Sequence, residues 1–203
     1  MTDKFKHWDQ VYQTKDHQQV SWHQAHATLS LDWILTHTQP NDAVIDVGCG
    51  VSILADELLD KGYQDLSLLE LSTSALDTLK ARLSKRANQP KFHNVNILEF
   101  ESDQCYDLWH DRAVFHFLTN SDDRQIYLNK LKQYLNSGGY FLLATFALDG
   151  PNECSELPTE QYNNTKISTL LGEEFQLIKS ATEQHPHPNG STQSFNYFLF
   201  QKS

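Results

Sequence analysis

The chain has 203 residues, of which 39% are apolar and 21% charged, and it carries a formal charge of −10. This apolar content excludes a disordered chain and is enough for one packed core. The acidic balance argues against nucleic acid held on a broad basic surface, so no such partner is expected.

No apolar segment follows the polar start Met1–Trp8, so no secretory leader is read there. The longest apolar stretch, Tyr140–Leu148, is too short to cross a bilayer as a helix, and no membrane association is expected. Cys49, Cys105 and Cys154 are widely spaced and form no paired motif, which reads as reduced thiols of a cytoplasmic protein. His185 and His187 beside a proline-rich turn lack further ligands at metal-binding spacing, so no metal is expected.

Residues 1–38 read as a helical, aromatic cap, and residues 39–203 as one α/β core, together forming a single domain. Ala43–Val47 is a buried-strand run that stops at Gly48, and Ser52 caps a helix carrying Leu54, Leu58 and Leu59. Asp65–Leu69 is the next strand, and Ser72 caps a helix with Ala75, Leu76, Leu79 and Leu83 on one face. Phe92–Leu98 and Tyr106–His110 give strands three and four. A helix opened by Ser121 follows, carrying Ile126, Leu128, Leu131 and Leu135 and closing at Gly138-Gly139. Tyr140–Ala147 is the fifth strand, and the loop Asp149–Tyr162 after it is too long for a plain connection. A short helix at Ile167–Leu171 leads to Phe175–Ser180 and Phe195–Gln201, joined through His-Pro-His-Pro-Asn-Gly as an antiparallel hairpin. Strands alternating with helices predict a Rossmann-like, seven-stranded, mostly parallel sheet with helices on both faces.

Open α/β sheets bind ligands at the carboxyl ends of their strands. The first strand ends in Asp46-Val47-Gly48-Cys49-Gly50, and the second ends in Glu70, spaced to accept both hydroxyls of a ribose. A dinucleotide fingerprint needs a third glycine where Ile53 stands, and its pyrophosphate would be repelled by Asp46. A ligand with an ammonium and a sulfonium but no phosphate suits an acidic first loop. Charge thus favours S-adenosylmethionine over NAD, and an NAD-dependent oxidoreductase is the disfavoured rival.

Val44-Ile45-Asp46-Val47-Gly48-Cys49-Gly50 resembles motif I of the class I methyltransferases, and Leu68-Leu69-Glu70-Leu71-Ser72 resembles their acidic second motif. Tyr106–Arg112 with Phe115-His116-Phe117-Leu118, and the segment from Ala144-Thr145-Phe146 to Leu157-Pro158, resemble a bacterial subgroup. That subgroup is similar to the citrate synthase-lysine methyltransferases. The resemblance implies that Asp46, Gly48, Cys49 and Gly50 hold the methionine end, Glu70 and Leu71 the ribose, and Asn96 and Ile97 the adenine. Trp109 and His110 would line the methionine side, and the N-terminal Trp8, Tyr12, Lys15 and Trp22 would cover the cofactor.

Beyond strand four, His110, Asp111 and His116 are the candidate catalytic groups. A neutral histidine there would accept a proton or orient an acceptor, with Asp111 fixing it. The alternative makes Asp111–Arg112 a structural pair and His116 a packed core residue. The expected partner is a small-molecule or protein methyl acceptor, a lysine included, met by a monomer or weak dimer. A non-catalytic S-adenosylmethionine-binding module is the rival of a different class.

Overall fold

The apolar patterns sort into one seven-stranded sheet with helices on both faces, in a computed structural model that describes residues 3–86 and 89–203. In chain order the elements are α1 (Asp3–Thr14), α2 (Thr28–His37), β1 (Ala43–Val47), α3 (Leu54–Asp60), β2 (Asp65–Glu70) and α4 (Thr73–Leu83). Then follow β3 (Lys91–Asn94), β4 (Tyr106–Arg112), α5 (Ser121–Tyr134), β5 (Leu135–Phe146), the short β6 (Glu153–Cys154) and β7 (Leu157–Pro158), α6 (Asn164–Leu171), β8 (Phe175–Pro186) and β9 (Thr192–Lys202). The sheet order is β3-β2-β1-β4-β5-β9-β8, parallel except for β9, which runs against both β5 and β8. The chain moves outward in both directions from the β1–β4 junction, so a crevice opens at the carboxyl ends of those two strands.

One layer packs α2, α3 and α4 on Val44, Leu66, Leu68, Leu108 and Leu142. The opposite layer packs α5 and α6 on Ile45, Val47, Trp109, Phe141 and Leu143. Helix α1 docks outside the first layer: Asp9 accepts both the Ser72 hydroxyl and the Ser74 backbone N–H at 2.9 Å. Ser72 itself caps α4 as expected, accepting the Ala75 N–H at 3.2 Å.

Several boundaries differ from the sequence reading, each for a local reason. The third strand stops at Asn94 and does not run to Leu98, because the Asn96 side chain accepts the Leu98 N–H and turns the chain into a short 3-10 helix. Helix α5 ends at Tyr134, and Leu135 already pairs with Tyr106 in the sheet, so Gly138-Gly139 lies within β5 and does not close the helix. A Cβ on Gly139 would stand 3.0 Å from the Asp107 carbonyl, which explains glycine in that strand. The N-cap of α3 is Ile53, while Ser52 accepts the Leu54 N–H. The last hairpin is longer than expected at its turn, where its strands reach Pro186 and Thr192.

Strand β4 imposes the sharpest correction. Successive strand residues face opposite sides of a sheet, so Leu108, His110 and Arg112 point one way and Trp109 and Asp111 the other. Trp109 is wholly buried in the α5 layer, donating to the Tyr127 hydroxyl at 3.0 Å. Asp111 is wholly buried there too, accepting from Tyr127 Oη at 2.6 Å and from the N–H groups of Val114 and Phe115. Arg112, its expected partner, faces away and bonds the Tyr197 hydroxyl and the Trp22 carbonyl, each at 2.9 Å.

Tyr127 is therefore the hinge of a buried polar chain whose other members have no route to water. Tyr127→Phe should lower unfolding free energy by about 1–3 kcal/mol, the cost of leaving buried partners short of a hydrogen bond. Urea denaturation monitored by tryptophan fluorescence measures it, and an unchanged midpoint would mean the chain contributes nothing.

Candidate active site

The crevice above the β1–β4 junction is a single cavity roofed by the N-terminal segment. Its floor begins with the turn after β1. Gly48 and Gly50 both hold positive φ, +67° and +50°. A Cβ on Gly48 would come 2.0 Å from Val114 Cγ2, and one on Gly50 would come 2.4 Å from the Tyr12 hydroxyl. Glycine at 48 lets the loop after β4 press onto the turn, and glycine at 50 lets the aromatic cap descend onto it.

Two carboxylates line this end. Glu70 accepts the Gly50 N–H at 2.9 Å and the Ser72 N–H at 2.7 Å, one on each oxygen. Burial raises its pKa to about 7 against the pull of those N–H groups, and neighbouring Asp46 adds to the rise. Among the described residues, no cationic side chain comes within ion-pairing distance of it. Each oxygen keeps lone-pair capacity for a further donor, such as the two hydroxyls of a ribose.

Asp46 is fixed by register. It lies opposite His110 across β1 and β4, and the His110 Nδ1 sits 2.6 Å from its Oδ1. The carboxylate can only accept, so Nδ1 carries a proton, and on the other side of the ring Nε2 shares a hydrogen bond with the Ser30 hydroxyl at 2.8 Å. Ser30 comes from α2, and all three groups are buried. Nothing in the sequence pattern marked Ser30, since a serine in a ten-residue helix carries no signal until α2 is docked.

The far end of the cavity is aromatic. His116 is wholly buried, stacked on Phe146 at 4.5 Å, and its Nδ1 accepts the Phe146 N–H at 3.3 Å. Strand β4 ends at Arg112, so that N–H has lost its strand partner and the imidazole takes its place. Burial, helped by Arg112, pushes the His116 pKa down to about 3, and the ring is neutral at pH 7. Above both ends lie Trp8, Tyr12 and Trp22, the Trp8 ring edge-on to Trp22 at 5.7 Å and to Phe117 at 5.1 Å.

Of the residues singled out from the sequence, Asp46, Gly48, Cys49, Gly50, Glu70, Leu71, Asn96, Ile97, Trp22, His110 and His116 all line this one cavity. Trp109 and Asp111 do not, for the period-two reason given above. From the loop after β5, Cys154 reaches the cavity, whereas Tyr162 packs on Phe115 in the opposite layer. Asn96 Oδ1 holds the Leu98 N–H and retains a second lone pair. Burial raises the Cys49 thiol well above its ordinary value, which makes it a packing group rather than a nucleophile.

Residues 38–190 match the family described as "Methyltransferase domain". The chain belongs to that family. It is similar to the eEF1A lysine and N-terminal methyltransferase of Bos taurus, 24% identical over 149 residues that cover 70% of this chain and 21% of the relative. It is also similar to the malonyl-[acyl-carrier protein] O-methyltransferase of Acetivibrio thermocellus, 27% identical over 73% of this chain and 50% of that protein. The chain thus spans from about a fifth to half of the length of these relatives. In fold it is similar to an S-adenosylmethionine-dependent methyltransferase of Anabaena variabilis, with a TM-score of 0.75 at 15% identity over 100% of this chain and 96% of the other. The 1,6-didemethyltoxoflavin-N1-methyltransferase of Burkholderia thailandensis, solved with S-adenosylhomocysteine, aligns with a TM-score of 0.70 at 16% identity, over 98% and 84%.

The Gly48 turn gives a test that separates backbone strain from steric contact. Gly48→Ala should cost about 2–4 kcal/mol of stability, combining a positive φ with a clash on Val114. Adding Val114→Ala should recover the steric share and leave about 1 kcal/mol from the backbone. Urea melts of both variants decide it, and no recovery in the double variant would locate the whole cost in φ.

Proposed function

We propose that the methyltransferase binds S-adenosylmethionine along the Gly48–Gly50 turn and delivers its methyl group to an acceptor held at the aromatic end of the same cavity. The observation that carries this reading is Glu70, a buried carboxylate at the cavity wall with spare acceptor capacity and, among the described residues, no cation within ion-pairing range. The donor set fits the cofactor: Glu70 suits the ribose, Asp46 suits the positive methionine end, and Asn96 with Leu71 and Ile97 offers a largely apolar slot for the adenine. When bound, the cofactor supplies a methyl group already activated by a sulfonium charge. The chain's own task is alignment and exclusion of water, and Trp8, Tyr12 and Trp22 provide the cover.

His110 acts as the proton-handling group in this reading. Its Nε2 is bonded to the Ser30 hydroxyl and its Nδ1 to Asp46, a chain along which a proton can pass between ring and hydroxyl. Asp111 has a different part, holding the loop that carries His116 through the Val114 and Phe115 N–H groups. The finer kinship, with the bacterial subgroup similar to citrate synthase-lysine methyltransferases, is supported by the aromatic N-terminal segment and by the likeness to lysine methyltransferases. The proposed compartment is the cytoplasm, where the free thiols of Cys49, Cys105 and Cys154 stay reduced.

Two measurements test the reading. Calorimetric titration with S-adenosylhomocysteine should show a single site, and affinity for NAD in place of it would overturn the assignment. The pH dependence is specific to Glu70. Its pKa is raised, so the stability it contributes is present below its ordinary range and lost as pH rises through about 7. Cofactor affinity should run the other way, because the ionised carboxylate is the better acceptor for ribose hydroxyls. Binding of S-adenosylhomocysteine should be about tenfold weaker at pH 6 than at pH 8, and Glu70→Gln should flatten that profile. A flat profile in the unaltered protein would remove Glu70 from the contact.

A further inference from the structure

The aromatic end of the cavity contains two buried polar atoms that the fold leaves unused. His116 Nε2 and Gln193 Oε1 have no hydrogen-bond partner among the described residues, and both side chains line the cavity. Buried polar groups are almost always paired, and two orphans at one end of a ligand cavity call for a partner that is not protein. Their chemistry is fixed. The Phe146 N–H can only donate, so the His116 Nδ1 it meets is the bare nitrogen, and the neutral ring carries its proton on Nε2. His116 is therefore a donor toward the cavity, while Gln193 Oε1 can only accept.

The walls around these atoms are flat and apolar. Phe146 and Phe195 stand 4.7 Å apart with their rings tilted by 55°, and the His116 ring stacks on Phe146 with 29° between the planes. Among the described residues, the carboxylates lining the cavity are Asp46 and Glu70, which belong to its opposite end, on β1 and β2. Arg112 stands at the aromatic end, its guanidinium carbon 4.7 Å from the Phe195 ring centre. Glu183, 3.9 Å from Arg112 and bound by Tyr197 and Gln24, does not line the cavity. A protonated amine entering here would meet a cation, no carboxylate and a donor that it cannot satisfy.

We infer that the methyl acceptor is a neutral, planar small molecule with an amide-like edge, whose carbonyl receives the His116 Nε2–H and whose N–H binds Gln193 Oε1. The inference rests on the methyltransferase reading above and narrows its acceptor. The gripped edge is the recognition edge, and the methylated atom lies elsewhere on the acceptor, toward Asp46 and His110. Recognition through paired donor and acceptor atoms in a dry site discriminates sharply, because an analogue lacking either partner leaves a buried group unmatched.

Protein labelled with 15N on histidine and saturated with S-adenosylhomocysteine tests this. It is titrated with 2-pyridone as the planar lactam, toluene as the apolar control and n-butylamine as the lysine side-chain mimic. The His116 signals are assigned by their loss in His116→Asn. 2-Pyridone should move the His116 signals and bind at least about tenfold more tightly than either control, the scale of two neutral hydrogen bonds. Gln193→Leu should weaken 2-pyridone about five- to tenfold, and it leaves the Phe146 contact of His116 untouched should His116→Asn fail to fold. Toluene or n-butylamine binding as well as 2-pyridone, or a Gln193→Leu protein that binds it undiminished, overturns the acceptor class. Bound S-adenosylhomocysteine with no response to the lactam defeats the acceptor class alone, whereas failure to bind S-adenosylhomocysteine defeats the methyltransferase reading beneath it.

Discussion

The register of β1 against β4 is the constraint on which the site depends. Asp46 lies opposite His110 at the centre of the sheet, and both point toward the α2 layer. That pairing puts a carboxylate and an imidazole at 2.6 Å, and α2 closes over them with the Ser30 hydroxyl. A shift of one residue in β4 would send Trp109 into the cavity and bury His110 against α5, and one in β1 would turn Asp46 away from it. The sheet tolerates no such slip, because Val44 and Leu108 on one face, and Ile45 and Trp109 on the other, are all fully buried.

Around that centre, charge and shape divide the cavity into two ends with different chemistry. Carboxylates and positive-φ glycines gather where β1 and β2 finish. Aromatic rings, neutral His116 and Arg112 gather where β4 and β5 finish and β9 begins. A cationic cofactor and a neutral acceptor sort between such ends by electrostatics alone. The aromatic cap covers both ends, and the low dielectric under such a cover strengthens every polar contact inside.

The loop between β4 and α5 shows how a buried polar network serves the site without touching it. Asp111 holds the Val114 and Phe115 N–H groups, Tyr127 holds Asp111, and Trp109 holds Tyr127. Val114 in turn presses on Gly48, and His116 completes the edge of β5. Burial raises the Asp111 pKa to about 6 although three donors act to lower it, so its place in the loop is a compromise between desolvation and hydrogen bonding.

The sequence by itself determined the fold class, the glycine turn, the acidic residue at the end of the second strand and the antiparallel last hairpin. These are local signals: a period of two or 3.6, a capping serine such as Ser72, a pair of glycines, an acid at a set spacing. It also held, unread, the rule that Trp109 and His110 cannot face the same way on one strand, nor Asp111 pair with Arg112. What only the tertiary structure decided is the partnership between distant segments. Ser30 reaches His110 across 80 positions, and Asp9 caps a helix more than 60 residues away. The tautomer of His116 follows from where β4 stops beside Phe146. Long-range contacts of this kind depend on register and helix docking, and a single side chain leaves no periodic trace of them in the chain.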